Sequence, residues 1–211
     1  MKIIAHRGNW FSASEKNTAL ALRRALCEDF GVETDLRDFN GTVVISHDSP
    51  DGSEMTLDQL LTLCKAHPQC GLLALNIKSD GMQNAIKSAL DRHGPLDAFV
   101  FDMSVPDAIG FIGTEIRTYT RCSEYENPPP FLKLAAGIWL DSFHSDWYDM
   151  DLVECWLHQG KDVCIVSPEL HGRAHLATWE RLYASNLHRH PRLALCTDYP
   201  YIAKEKFSVS D

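Results

Sequence analysis

KIIAHRG at residues 2–8, GVETD at 31–35 and VVISHD at 43–48 are three stretches in which an apolar, strand-like run ends in polar side chains. Runs of this length and composition predict short β-strands with buried side chains. Together their ends include two histidines, an arginine and the carboxylate pair Glu33 and Asp35. These are the groups that a metal-assisted cleavage of a phosphodiester needs.

Apolar runs of strand length alternate with amphipathic stretches of helical length from one end of the chain to the other. Such alternation predicts parallel strands joined by helical crossovers, and about eight units of this kind fit a small (β/α)₈ TIM barrel. One domain is expected over residues 1–211. The rival is an open doubly wound sheet, but no glycine-rich phosphate loop follows the first strand. The predicted strands are 2–6, 31–36, 43–46, 72–78, 97–102, 115–121, 137–141, 162–167 and 193–197, and the predicted helices are 17–29, 56–67, 80–93, 149–159 and 176–188.

The Asn40-Gly41 dipeptide is a strong signal for a two-residue hairpin turn. Residues 31–38 and 43–46 are therefore expected to pair antiparallel or to form a bent extension of the second strand.

Composition and charge exclude several classes of protein. Hydrophobic residues make up 45% of the 211 residues, which is enough for a packed core, and the formal net charge is −9. The negative charge argues against a nucleic-acid backbone or an anionic membrane as the main partner, but not against a small anionic substrate. No transmembrane segment or secretory signal is expected, and the seven cysteines lack CxxC spacing, so a cytoplasmic protein without zinc or a disulfide framework is expected.

Glu33 and Asp35 are two residues apart on a predicted strand, so their side chains point to the same face. Two adjacent carboxylates repel each other unless a cation lies between them, and oxygen ligands suit Mg²⁺ or Ca²⁺. Such an ion polarises a phosphoryl oxygen and neutralises developing charge. Arg7 and Lys78 are candidates to bind the phosphate, and histidines suit acid–base roles near neutral pH.

These motifs resemble those of the glycerophosphodiester phosphodiesterases, whose fold is related to that of phosphatidylinositol-specific phospholipase C. That family shows HRG after strand one, a PENT-like helix start, G-x-E-x-D on strand two, an HD soon after, E-x-K on strand three and T-D-x-P at the last strand. The corresponding residues here are His6-Arg7-Gly8, Glu15-Lys16-Asn17-Thr18, Gly31-Val32-Glu33-Thr34-Asp35, His47-Asp48, Asn76-Ile77-Lys78 and Thr197-Asp198-Tyr199-Pro200. The chain is identified from this resemblance as a divergent, short member of the family.

The resemblance implies a phosphoric diester hydrolase of lipid metabolism, with a TIM barrel and a divalent ion in its mouth. It implies acid–base catalysis by His6 and His47, metal binding by Glu33 and Asp35, and phosphate binding by Arg7 and Lys78. The substrate implied is a small phosphodiester with a glycerol or sugar group. The nucleophile is either a neighbouring hydroxyl of the substrate, which gives a cyclic phosphate, or water.

The chain departs from the family pattern at the metal site. Asn76 replaces the family's third carboxylate ligand, on strand three. An amide oxygen still coordinates Mg²⁺ or Ca²⁺, but one negative charge is lost and metal affinity is expected to fall. Glu169 or Asp141 is expected to compensate from across the barrel mouth.

Two further departures concern the substrate pocket. Lys16 stands at the PENT-like glutamate position, where it either adds to phosphate binding or is solvated, and Asn17 is expected to cap the first helix. The segment between Asp48 and the helix starting near residue 56 is short. The pocket is therefore expected to be more open than in relatives that carry a longer insertion there.

Other residues are predicted to complete the rim of the barrel mouth. Trp10 follows the first motif, and Arg121 ends the strand predicted at 115–121. Both are expected to contact the substrate. Histidines that match no motif are expected at the surface, and these are His144, His158, His171, His175, His188 and His190.

Two other functions remain open. If Asn76 has abolished the metal site, the barrel would bind a phosphorylated metabolite without cleaving it. Alternatively, Lys78 would form a Schiff base in an isomerase or aldolase acting on sugar phosphates. Both histidines and the Glu33/Asp35 pair are present, which favours the hydrolase.

Overall fold

The computed structural model describes residues 1–67 and 69–208. These residues form nine β-strands and seven α-helices, and none of the helices is long and apolar enough to cross a membrane. The strands are β1 (Lys2–His6), β2 (Gly31–Phe39), β3 (Thr42–Ile45), β4 (Leu73–Ile77), β5 (Ala98–Phe101), β6 (Tyr119–Cys122), β7 (Gly137–Leu140), β8 (Asp162–Val166) and β9 (Leu193–Thr197). The helices are α1 (Ala19–Cys27), α2 (Leu57–Lys65), α3 (Gln83–His93), α4 (Val105–Ile112), α5 (Met150–His158), α6 (Leu176–Ala184) and α7 (Pro200–Phe207).

Eight of the strands run parallel in the order β5-β4-β2-β1-β9-β8-β7-β6. The two ends of this sheet meet, because Val100 in β5 pairs in parallel with Thr118 and its backbone N–H donates to the carbonyl oxygen of Arg117 at 2.9 Å. The strands therefore close into a (β/α)₈ barrel, as predicted, and the open sheet is excluded. In a closed ring of eight strands, strands four places apart face each other, so β2 lies opposite β7 and β4 opposite β8.

The ninth strand, β3, forms the predicted antiparallel hairpin with β2. Leu36 pairs with Ile45 and Phe39 with Thr42. Asn40 and Gly41 both have positive φ, at 49° and 81°, which is the backbone geometry that a tight two-residue hairpin turn requires. The hairpin carries the end of β3, and with it His47, to the rim of the barrel.

The observed elements differ most from the predicted ones at β6, α4 and α7. β6 covers Tyr119–Cys122 instead of 115–121, and α4 and α7 had not been predicted. α4 is a short helix that begins at a Ser104 cap and contains a proline in its first turn, so it lacks a long periodic pattern. The described residues 123–136 between β6 and β7 form turns with no helix, and Pro128-Pro129-Pro130 cannot donate the backbone hydrogen bonds of one.

The cap of helix α1 lies one residue later than predicted. The side chain of Thr18 accepts a hydrogen bond from the backbone N–H of Ala21 at 3.3 Å, so Thr18 and not Asn17 caps the helix. Gly8 packs against the same helix start with φ of +87°. A Cβ atom on Gly8 would lie 2.6 Å from the carbonyl carbon of Ala21, so this turn has room for glycine only.

Aromatic side chains fill the interior of the barrel. Phe99 stacks on Tyr119 and Phe101 stacks on Trp139, each with ring centroids 3.8 Å apart. These four residues are buried. They pack the barrel below its mouth, so ligands enter only from the end where the strands terminate.

Candidate active site

A cleft of about 320 Å³ opens at the carboxyl ends of the barrel strands. It brings together most of the predicted site residues, although the chain separates them by more than a hundred positions. The predicted residues that line it are His6, Arg7, Glu33, His47, Asn76, Lys78 and Arg121.

His6 and Asp198 form a hydrogen-bonded dyad at one wall of the cleft. His6 ends β1, and its Nδ1 lies 2.6 Å from Oδ1 of Asp198, which follows β9. Its Nε2 is 3.8 Å from Oε2 of Glu33. With Asp198 ionised, Nδ1 carries the proton and Nε2 is left as a base. Sequence reasoning gave Asp198 no role, although it belongs to the quoted T-D-x-P motif.

Glu169 holds the turn that carries Asp198. Its carboxylate accepts hydrogen bonds from the hydroxyls of Ser167 and Thr197 and from the backbone N–H of Asp198, the last at 3.1 Å. Glu169 is nearly buried and is not among the residues that line the cleft. The geometry therefore makes Glu169 a support for the turn that holds Asp198, and it does not join the predicted metal ligands.

Asp35 is fully buried under the cleft. Nε of Arg7 lies 2.8 Å from its Oδ2, and Nζ of Lys78 lies 3.5 Å from its Oδ1. Asn17, which had been expected to cap α1, instead donates from Nδ2 to Oδ2 of Asp35 at 2.9 Å. Its Oδ1 accepts from the Thr34 hydroxyl at 2.8 Å, so Asn17 ties the loop after β1 to β2.

Glu33 lies beside Asp35 and is also buried. Burial first, and then the charge of Asp35, raise the pKa of Glu33 from 4.5 to about 7, against the opposing effects of His6, Arg7 and Lys78. The backbone N–H of Arg7 donates to Oε2 of Glu33 at 3.2 Å. Arg7 has a φ of 56°, a conformation rare for a non-glycine residue. The backbone of this turn is thus shaped around the Glu33 carboxyl group.

The donor atoms around Glu33 fit an oxygen-preferring cation. Asp35 and Asn76 are paired residues of β2 and β4, and among the described residues neither buried Oδ1 atom accepts a hydrogen bond, although Nζ of Lys78 lies 3.5 Å from that of Asp35. Nδ2 of Asn76 contacts Oε1 of Glu33 at 3.4 Å. Unpaired buried oxygens next to two carboxylates suit Mg²⁺ or Ca²⁺. However, the described residues contain no group of three or more His, Cys, Asp or Glu side chains arranged for a metal.

A chain of ion pairs continues along the cleft from Lys78. Nζ of Lys78 is 3.4 Å from Oδ2 of Asp102, and Asp102 also pairs with Arg121, which pairs in turn with Glu126. Burial raises the pKa of Asp102 despite Arg121 and Lys78. Lys78 therefore lies between two carboxylates, whereas a Schiff-base lysine needs an apolar or cationic setting. This environment argues against the aldolase alternative.

His47 occupies a more open position than His6. Its side chain is 45% exposed, and its Nδ1 lies 2.9 Å from Oδ1 of Asp48, which is 94% exposed. His47, Arg7 and Lys16 also line a groove of about 890 Å³ that runs out past the short segment after Asp48. The pocket opens into this groove at His47, and its comparison with relatives that carry a longer insertion stays a prediction.

Lys16 and Trp10 lie close to the dyad. Nζ of Lys16 is 3.6 Å from Oδ2 of Asp198 and 4.3 Å from the centre of the Trp10 ring. Nε1 of Trp10 donates to the carbonyl oxygen of His6 at 3.0 Å. Lys16 is thus part of the cleft wall. Trp10, predicted to contact substrate, instead packs against Lys16 and the backbone of β1.

A third histidine that had been expected at the surface lines the cleft. Nε2 of His171 lies 2.6 Å from Oδ1 of Asp141, which follows β7. Both residues belong to the cleft wall. The expectation was wrong for His171 because no motif marks it. Its position shortly after the strand predicted at 162–167 was the available signal.

Similarity to solved structures provides independent support for the fold. No protein-family model and no curated protein matches the chain. A structure from Galdieria sulphuraria, provisionally described as a glycerophosphodiester phosphodiesterase, superposes with a TM-score of 0.76 at 15% identity and covers 99% of this chain and 98% of that one.

Two further solved structures are similar over comparable lengths. A glycerophosphodiester phosphodiesterase from Agrobacterium tumefaciens gives a TM-score of 0.72 at 17% identity, covering 99% of this chain and 100% of that one. A phosphodiesterase from Oleispira antarctica, in complex with the product sn-glycerol-3-phosphate, gives 0.69 at 17% identity, covering 99% and 97%. At these identities the comparisons show a shared fold, and the activity has to be argued from the site.

Proposed function

We propose that the protein hydrolyses a small phosphodiester with the help of a divalent cation, Mg²⁺ or Ca²⁺. The observation that carries the proposal is the His6–Asp198 dyad, whose free Nε2 faces the buried Glu33 carboxyl at 3.8 Å beside Arg7. An oriented base next to a cationic phosphate site is the minimum for this reaction. The similar solved structures described as glycerophosphodiester phosphodiesterases support the same reaction class.

Arg7 and Lys78 bind the phosphate in this proposal. Both border the cleft, and both already neutralise Asp35, whose two oxygens lie 2.8 and 3.5 Å from their nitrogens. Arg7 presents several N–H donors in a fixed plane, which matches two phosphoryl oxygens at once. Their common contact with Asp35 fixes both cations before substrate arrives, so little reorganisation accompanies binding.

His6 and His47 are the proposed acid–base pair. Asp198 holds the His6 ring, keeps the proton on Nδ1 and stabilises the imidazolium that forms when Nε2 takes a proton from the attacking hydroxyl or water. His47, on the open groove after β3, is the proposed acid that protonates the leaving alkoxide oxygen.

Glu33, Asp35 and Asn76 are the residues that would hold the cation. When bound, it would polarise a phosphoryl oxygen and neutralise charge that develops on the phosphate. Asn76 in place of a carboxylate, together with the two cationic side chains on Asp35, makes the proposed ion weakly held.

A second candidate function is a phosphate-binding module without turnover. It is favoured by one observation, that Asn76 stands beside Glu33 and Asp35, so the described residues include no group of three His, Cys, Asp or Glu side chains placed to hold a metal. The His6–Asp198 dyad argues against it, because simple binding of a phosphate requires no oriented base.

The test is phosphodiester hydrolysis by the purified protein. Bis(p-nitrophenyl) phosphate and a glycerophosphodiester are assayed with Mg²⁺, Mn²⁺, Ca²⁺ or EDTA, and His6→Ala serves as the variant that lacks the base. Cleavage that EDTA and His6→Ala both abolish supports the proposal. Binding of inorganic phosphate without any cleavage would instead support the binding module.

A further inference from the structure

Asp141 and His171 form a second hydrogen-bonded dyad in the same cleft, and the proposed reaction leaves it without a role. Asp141 is only 5% exposed, and its Oδ1 lies 2.6 Å from Nε2 of His171. The same oxygen accepts the backbone N–H of Ser142 at 2.9 Å, which fixes the carboxylate. A buried carboxylate that holds a histidine ring towards a cleft is a built site.

The dyad lies across the barrel mouth from the phosphate-binding residues. Asp141 follows β7 and His171 lies in the turn after β8, and these strands are opposite β2 and β4 in the ring. Lys78 follows β4, and Nε of Arg7 lies 2.8 Å from Oδ2 of Asp35 in β2. A diester whose phosphate is bound at Arg7 and Lys78 therefore extends one alcohol group towards Asp141 and His171.

Two polar atoms of this dyad are available to a ligand. Within residues 1–67 and 69–208, neither Oδ2 of Asp141 nor Nδ1 of His171 makes a hydrogen bond, and both side chains line the cleft. Beside them the wall is aromatic, with the Phe143 ring 4.7 Å from His171. This surface offers an acceptor, a ring nitrogen and an apolar face.

The charges of the wall select the kind of group that fits. Asp141 disfavours a second anionic group beside it, and an alkyl group would leave Oδ2 of Asp141 without a donor. With Nε2–H of His171 donating to Oδ1 of Asp141, Oδ2 of Asp141 and Nδ1 of His171 are both acceptors, so two hydroxyl groups that each donate one hydrogen bond satisfy them together.

We infer that the His171–Asp141 dyad is a specificity site that binds two hydroxyls of one alcohol group of the substrate. It selects neutral, hydroxylated alcohols such as glycerol or a sugar over alkyl or anionic ones. The inference rests on the proposed function, since it assumes a phosphate bound at Arg7 and Lys78.

The first experiment compares two chromogenic diesters, p-nitrophenyl glyceryl phosphate and p-nitrophenyl ethyl phosphate. They share a leaving group and differ in the hydroxyls of the other alcohol. We expect the wild type to prefer the glyceryl diester by about tenfold in kcat/KM, the size of one or two hydrogen bonds. His171→Phe, which keeps a ring against Phe143 but removes both nitrogens, should reduce the ratio of the two kcat/KM values to about one.

His158→Phe is the matched control, because His158 is an exposed residue at the end of α5 that does not line the cleft. It should behave as the wild type. A preference that survives in His171→Phe overturns the inference. An equal loss on both diesters overturns it as well, because the dyad would then not distinguish the hydroxyls.

A binding measurement separates failure of this inference from failure of the proposed reaction. Titration calorimetry of wild type and His171→Phe with sn-glycerol 3-phosphate and with ethyl phosphate requires no turnover. The wild type should bind sn-glycerol 3-phosphate about tenfold more tightly, and the variant should bind both alike. Equal affinities in the wild type would overturn the dyad's role, whereas discrimination without any hydrolysis would retain it and reject the hydrolase.

Discussion

Glu33→Gln should stabilise the metal-free protein at alkaline pH and have little effect at acidic pH. The wild-type carboxyl has its pKa raised from 4.5 to about 7, first by burial and then by Asp35. A carboxyl with a raised pKa favours folding below about pH 4.5, and this contribution is lost as the pH rises through about 7. This rise in pKa corresponds to about 3 kcal/mol, which we take as the upper bound of the difference in unfolding free energy between Glu33→Gln and the wild type. Glutamine resembles the protonated acid and carries no charge at any pH.

Urea unfolding in EDTA at pH 5 and pH 8 measures this difference directly. The free energy of unfolding of Glu33→Gln should exceed that of the wild type by up to about 3 kcal/mol at pH 8 and should match it near pH 5. Glu154→Gln, at an exposed glutamate of α5, is the control and should show no such dependence. The same difference at both pH values, or destabilisation at pH 8, would refute the argument that Glu33 is a strained, buried acid without its cation.

Three further predictions concern catalysis and the cation. His6→Ala and His47→Ala should each lower turnover by about 10²-fold or more without unfolding the protein, and circular dichroism beside steady-state kinetics checks both points; wild-type rates would remove the assigned roles. Asp198→Asn should lower kcat by at least about 10²-fold with KM little changed, because it keeps the shape of the site but weakens control of the His6 tautomer. An effect confined to KM would contradict that role. Asn76→Glu should tighten divalent-ion binding in titration calorimetry, and unchanged or weaker binding would mean that this side chain does not face the ion.

Much of the fold could be predicted because its signals are local. The alternation of apolar runs with amphipathic helices gave the barrel, and Asn40-Gly41 gave the β2–β3 hairpin. α4 was missed because a helix of eight residues carries little periodic signal and depends on its Ser104 cap and on packing. The loop at 123–136 interrupts the alternation of strands and helices. In the sequence, only its run of prolines indicated this interruption.

The site could be predicted only in part, for a reason that concerns distance along the chain. Glu33 and Asp35 could be paired because two residues of one strand share a face. The role of Asp198 could not, because it lies 192 residues from His6 and the two meet only where β1 and β9 become neighbours in the ring. Glu169 was predicted as a metal ligand, but the hydroxyls around it draw its carboxylate to the Asp198 turn.

By itself the sequence determined the strands, the crossovers and the identity of the polar groups at strand ends, since propensity and periodicity act over a few residues. Only the tertiary structure decided which of those polar groups lie on the same wall of the cleft. Closing eight strands into a ring fixes which ends are adjacent and which are opposite, and this placed His171 and Asp141 across the mouth from Lys78. Burial inside that ring, which no local pattern encodes, raised the pKa of Glu33 and fixed the orientation of both dyads.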